Sequence, residues 1–171
     1  EQENPGYYIV QFEGPVEKGW KDALACAGAE IFDYIPDFAF IIRLIPDNEE
    51  VVRNLPNVRW LGIYKPLYRI NQDYLDTMRK KVNGAKEVQG SETVSVLLRA
   101  VVFPGEDLAR IMSEIAALGG IVMDTVFAER KTILKIEIPP DRVPDVPSIH
   151  GIKSVSYTHL RAHETVLDLV C

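Results

Sequence analysis

A chain of 171 residues, 47% of them hydrophobic and 26% charged, has the composition of a folded globular protein with room for one or two small domains. Its net charge of −6 gives no basic stripe for nucleic acid, and no apolar run reaches the ~20 residues of a membrane-spanning helix. Two cysteines, Cys26 and Cys171, do not make a disulfide framework.

The start, EQENPGYYIV, has neither an initiator Met nor the charged and apolar regions of a signal peptide, which predicts a removed leader or an upstream stretch of gene. YYIVQFEG (7–14) is rich in aromatic and β-branched residues and ends at Gly14-Pro15, a strand and its turn. Val16, Trp20, Ala23, Leu24 and Ala27 recur at helical spacing, and Gly28 is the expected stop. Cys26 lies beside that apolar face and reads as a buried small residue. AEIFDYI (29–35) and FAFIIRLI (38–45) read as strands joined at Pro36-Asp37. DNEEVVRNL (47–55) reads as a short helix capped by Asp47 or Asn48, with Glu49 and Glu50 complementing its dipole, and VRWLGIY (58–64) as a last strand.

The same order then returns. TVSVLLRAVVF (93–103) is a strand leading into Pro104-Gly105. Leu108, Ile111, Met112, Ile115 and Leu118 form a helix face that starts near Asp107 and stops at Gly119-Gly120. IVMDTVF (121–127) and TILKIEI (132–138) pair around Ala128-Glu129-Arg130-Lys131. PDRVPDVPSI (140–149) fills the second-helix slot, where three prolines leave room for about a turn. HGIKS (150–154) opens the last strand, with His150 set against Asn57 of the first copy as a solvated turn residue.

The order β-α-β-β-α-β, written twice, predicts an α+β protein of tandem ferredoxin-like units, each an antiparallel sheet with its helices on one face. The expected organisation is a first unit over 1–70, a linker over 71–92 and a second unit over 93–153 cut at its last strand. The linker carries a short helix built on Tyr74, Leu75, Met78 and Val82.

Catalysis needs a nucleophile with a base, paired carboxylates or a metal cluster. Residues 1–153 hold one histidine, His150, and no G-x-S-x-G, P-loop or C-x-x-C pattern. Arg79-Lys80-Lys81 is too short for a nucleic-acid footprint. Trp20 and Trp60 fall on apolar faces, as core or interface residues. No cofactor, metal, nucleic-acid or membrane partner is expected, and the chain does not read as an enzyme.

The end of the chain, SVSYTHLRAHETVLDLVC, places His159, His163 and Glu164 in a metal-like pattern. VSYTHLRAHET (155–165), however, resembles the translation of a transposase-type sequencing adapter. After a short variable barcode the same adapter supplies the end of Asp168 and then Leu169, Val170 and Cys171. Residues 154–171 are therefore expected to be an artefact of a gene cut during library preparation, and none of their side chains is carried forward as a ligand.

YYIVQFEGPVEKGW, GAEIFDYIPDFAFIIRL and LPNVRWLGIYKPLYRI resemble the N-terminal prodomain region of subtilisin-like serine proteases of the fervidolysin-like branch. The resemblance covers residues 7–70 well and 93–153 more loosely. It implies a secreted propeptide that acts as chaperone and inhibitor of its own C-terminal protease domain, the intact protein being a serine endopeptidase. It also implies a protease contact at the acidic turn between the middle strands, here Glu129. The rival expectations are a small-molecule-binding regulatory tandem, using Gly28 and Gly119-Gly120, and a structural adhesion or spacer domain.

Overall fold

The computed structural model describes residues 5–70, 95–129 and 131–157. The chain divides into two compact units, Glu1–Lys65 and Pro66–Cys171. The first unit contains β1 (Gly6–Phe12), α1 (Lys18–Cys26), β2 (Glu30–Ile35), β3 (Ala39–Leu44), α2 (Glu49–Arg53) and β4 (Val58–Ile63). Its sheet is antiparallel throughout, in the order β2-β3-β1-β4. Strand side chains alternate between faces, so the register that pairs Tyr8 with Ile42 and Val10 with Phe40 gathers one apolar face. Leu24 of α1 and Val52 of α2 pack on that face with Phe12, Leu44 and Leu61. Burying each such side chain contributes roughly 1.5–3 kcal/mol.

The second unit repeats the plan with β5 (Val96–Val102), α3 (Leu108–Ala117), β6 (Ile121–Ala128), β7 (Lys131–Ile138) and β8 (Ile152–Tyr157). The sheet order is β6-β7-β5-β8, again antiparallel. The chain is thus α+β with two four-stranded sheets, an arrangement that fits tandem ferredoxin-like units. Asp107 caps α3 by accepting from the backbone N–H of Ala109 (2.9 Å) and Arg110 (3.3 Å). Where a second helix is due, Pro140–Ser148 forms a nine-residue 3-10 stretch, longer than the expected turn. Its three-residue period puts Val143 and Val146 on one side, and both are buried in the core with Ile111, Ile115, Leu134 and Ile136.

Two details show the units to be equivalent. Both long helices end in a Schellman motif: Ala29 N–H donates to Leu24 O and Gly28 N–H to Ala25 O, while Gly120 N–H donates to Ile115 O and Gly119 N–H to Ala116 O. Gly28 (φ +81°) and Gly119 (φ +78°) take the left-handed conformation that the motif requires. Helix termination therefore accounts for both glycines. The second marker lies before the last strand, where Asn57 (φ 72°) and Gly151 (φ 90°) are both left-handed. Each offers its carbonyl to the residue after the first strand, Glu13 N–H or Phe103 N–H. Asn57 thus corresponds to Gly151, and the expected match with His150 is one residue out of step. Backbone hand, which Asn and Gly share, fixes this alignment where side-chain type did not.

Two boundaries differ from the sequence expectation. Residues 66–70 side with the second unit, so the division falls after Lys65 and not after residue 70. Pro66–Arg69 is a 3-10 turn, and the buried Arg69 donates through Nη1 to the carbonyls of Pro147 (3.0 Å) and Ile149 (3.4 Å). Ile70 then forms a parallel bridge with Val155. At the other end, β8 continues past residue 153, pairing Val155 with Ala100 and Tyr157 with Leu98. Val155 has the side chain and parity that the core face asks for, and it is 2% exposed. The expected linking helix (Tyr74, Leu75, Met78, Val82) and the tail residues His159, His163 and Glu164 lie outside the described residues.

Two stability changes are expected. Val155→Asp places a carboxylate in the core of the second unit and should lower stability by more than about 2 kcal/mol, read as a shifted urea midpoint. The β2–β3 turn holds Asp37 (φ 66°) and Phe38 (φ 60°) in left-handed backbone. Gln11 Nε2 donates to Asp37 O (3.1 Å), and Phe12 N–H to Phe38 O (3.1 Å). Asp37→Gly keeps these bonds and relieves the backbone, so the midpoint of the first unit should rise by about 0.5–1 kcal/mol.

Candidate functional site

A polar cluster in the second unit sits where the start of α3 meets the turn before β8. Arg110 Nη2 donates to His150 O (2.9 Å) and lies 3.3 Å from Glu106 Oε2, while Nη1 bonds Glu114. His150 Nδ1 is 3.5 Å from the same Glu106 oxygen. His150 is therefore not the plainly solvated turn residue expected; Glu106, its side chain only 9% exposed, faces it. A Cβ on Gly151 would come within 2.7 Å of the Glu106 carboxylate, which is why the backbone can pass there. The cluster ties a turn to a helix start and contains no nucleophile.

Other expectations fall differently. Cys26 is exposed, not buried. It is two residues beyond Leu24, and two residues on a helix turn ~200°, to the opposite side. Trp20 stacks on Phe12 (5.5 Å) against the core of the first unit. Trp60 is 47% exposed and lies along its own strand, its ring over Gly62. Glu49 and Glu50 do open α2, and Glu49 pairs with Arg53, but Asn48 makes no side-chain capping bond. Among the described residues no group of three His, Cys, Asp or Glu is placed to hold a metal.

Another surface is the face of the second sheet on which, among the described residues, no helix packs. Core residues Leu98, Ala100, Leu134 and Ile136 point to one side, so Leu97, Arg99, Val101, Ile133, Lys135 and Glu137 occupy the other. The register lays these out in three rows across β6, β7 and β5. Ile121, Glu137 and Leu97 form the first, Asp124, Lys135 and Arg99 the second, Val126, Ile133 and Val101 the third. A charged band thus crosses between largely apolar rows. Ile121 is 63% and Val126 41% exposed. At the hairpin tip Phe127 is 72% exposed, with the exposed Glu129 in the adjoining turn. Alternation within TILKIEI carried the signal for this face, because Ile133, Lys135 and Glu137 share a parity that the core does not use.

Charges on the two sheets are tuned locally. Lys135 Nζ lies 2.6 Å from Asp124 Oδ2. Its hydrogen bond and positive charge hold the Asp124 carboxyl below its ordinary 3.8. In the first unit, burial works against the charged form of Arg43, yet the hydrogen bond and charge of Glu30, with Tyr7, carry its pKa above the ordinary arginine value. A depressed carboxylate pKa adds stability above the unfolded value, and that stability is lost as pH falls through the folded one. Asp124→Asn should therefore make the second unit slightly less stable at pH 7, with the gap to the wild type closing as pH falls below about 4. Paired acid titrations followed by circular dichroism would read this difference.

A family model described as a domain of unknown function, DUF8729, matches residues 1–65, the span of the first compact unit. No curated protein matches the chain.

Proposed function

We propose that this chain is the non-catalytic propeptide region of a secreted subtilisin-like serine endopeptidase, acting as folding template and inhibitor of that enzyme's catalytic domain. The observation that supports it best is the second unit's sheet face opposite its helices, where Ile121 and Val126 are exposed, Leu97 and Val101 half-buried and Ile133 buried. Exposed apolar surface of this kind marks an interaction site. A partner that binds only the folded protease stabilises it by mass action, which matters for a fold dominated by slow, long-range contacts. The resemblance carried by YYIVQFEGPVEKGW and LPNVRWLGIYKPLYRI gives the partner its identity.

The test starts at the source locus. Resequencing across codon 153 should reveal a reading frame that continues into a protease domain with Asp, His and Ser motifs. A frame that instead encodes THLRAHET in the genome would overturn both the propeptide reading and the adapter origin of residues 154–171. With the catalytic domain in hand, refolding in the presence of the chain should raise recovered activity, and excess chain should inhibit the folded enzyme. Glu129→Ala should weaken that inhibition about tenfold if the hairpin turn touches the enzyme; an unchanged inhibition constant removes Glu129 from the contact.

A further inference from the structure

The two sheets share one plan, and their equivalent edge strands are guarded differently. β2 closes one edge of the first sheet, and β6 closes the matching edge of the second. An edge strand turns half of its backbone N–H and C=O groups away from its own sheet, and these can pair with another chain unless something prevents it. β2 carries two carboxylates, Glu30 and Asp33. Its register with β3 also breaks between Ile31 and Tyr34, which leaves no long regular run. β6 breaks early, between Val122 and Asp124, and then runs in regular register from Asp124 to Ala128. That run holds no proline, and its single charge, Asp124, is met by Lys135 of the same sheet. Asp124, Val126, Phe127 and Ala128 are exposed and Thr125 is half-buried. Among the described residues, β7 is the one strand that pairs with β6.

We propose that β6 is a self-pairing edge, at which two copies of the chain join antiparallel across a two-fold axis through Val126. Such an axis sets the central residue opposite its own copy, so the choice of centre decides which side chains meet. Centred on Asp124, the pairing would oppose two carboxylates, which is destabilising. Centred on Thr125, it would set Phe127 against Met123, which lies in the register break. Centred on Val126, valine meets valine, each Thr125 meets Phe127 and each Asp124 meets Ala128. Every residue of the regular run is then paired, and no like charges face each other. The axis stands perpendicular to the sheet, so two four-stranded sheets join edge to edge with their helices on the same side. Backbone hydrogen bonds hold the copies together, and Val126 and Phe127 leave water. A foreign strand would gain the same backbone bonds, but a second copy brings the side chains that this register matches. The inference uses the strand's edge and is independent of the propeptide reading.

The experiment is sedimentation equilibrium of the full chain and its variants over a range of concentrations. The wild type should be a reversible dimer. Ala128→Lys sets an ammonium opposite Asp124 of the other copy, twice per dimer, and should tighten association roughly tenfold. Ala128→Glu opposes carboxylates at the same two places and should weaken association by a similar factor. Val126→Lys sets two cations together at the axis and should leave only monomer. Ala25→Lys, exposed on α1, changes the net charge as Ala128→Lys does and should leave the constant where it was. Ala128 is exposed, so its two variants should keep the wild-type circular dichroism and decide the matter even where Val126→Lys fails to fold. A wild type that stays monomeric overturns the proposal. So does a dimer that both Ala128 variants shift in the same direction, or that Ala25→Lys tightens as much as Ala128→Lys, because its contact then lies elsewhere. Growth past the dimer overturns the closed two-fold pairing.

Discussion

In each unit both crossover connections lie on the same side of a four-stranded antiparallel sheet, and the rest of the structure follows from that constraint. One face must then be apolar at every second residue, and among the described residues no helix packs on the other. In the second unit Leu98, Ala100, Val102, Leu134, Ile136 and Ile138 satisfy the first demand and are all fully buried. The residues between them are free to be chosen for something other than the core. Arg99, Lys135 and Glu137 are such choices, whereas Ile133, of the same parity, is itself buried. A sheet needing only solubility on that side would have no use for Ile121 or Val126 at its edge.

The connections obey a second, quieter constraint. Short loops between packed elements require backbone that most residues resist. The chain meets this with glycine at two helix ends and before β8, and with asparagine before β4. The β2–β3 turn is the exception, since Asp37 and Phe38 are left-handed without being glycine. The ladder around them compensates: Gln11 and the backbone of Phe12 both donate into the turn. Local cost is met by neighbouring hydrogen bonds.

The strands and long helices were legible because their periods are simple and their breakers, Gly28 and Gly119-Gly120, are explicit. Cys26 was misplaced because adjacency in sequence to Leu24 is not adjacency on a helix. The partnership of His150 with Glu106 spans 44 positions in sequence and has no local signature, so only packing reveals it. The first unit was expected to run to residue 70, and so to include Arg69, because the sequence continues past that unit's last strand without a break. Its hydrogen bonds to Pro147 and Ile149 are set by tertiary structure alone. Arg99 belongs to an intermediate class: its outward direction was readable from alternation, but its place beside Lys135 depends on which strands become neighbours.

The buried Arg69 also bears on the order in which the protein is made. Its bonds to Pro147 and Ile149 span 78 and 80 residues. A chain leaving the ribosome has every element of the first unit by residue 65, and domains fold as units from the N-terminal end during synthesis. Arg69 emerges a few residues later, yet its acceptors must wait until nearly the whole second unit has been translated. The guanidinium acts as a late clasp: it is synthesised early and meets its acceptors only when Pro147 and Ile149 have been made. The two units thus differ in timing as well as in sequence, one having all its elements by residue 65 and the other waiting for Pro147 and Ile149.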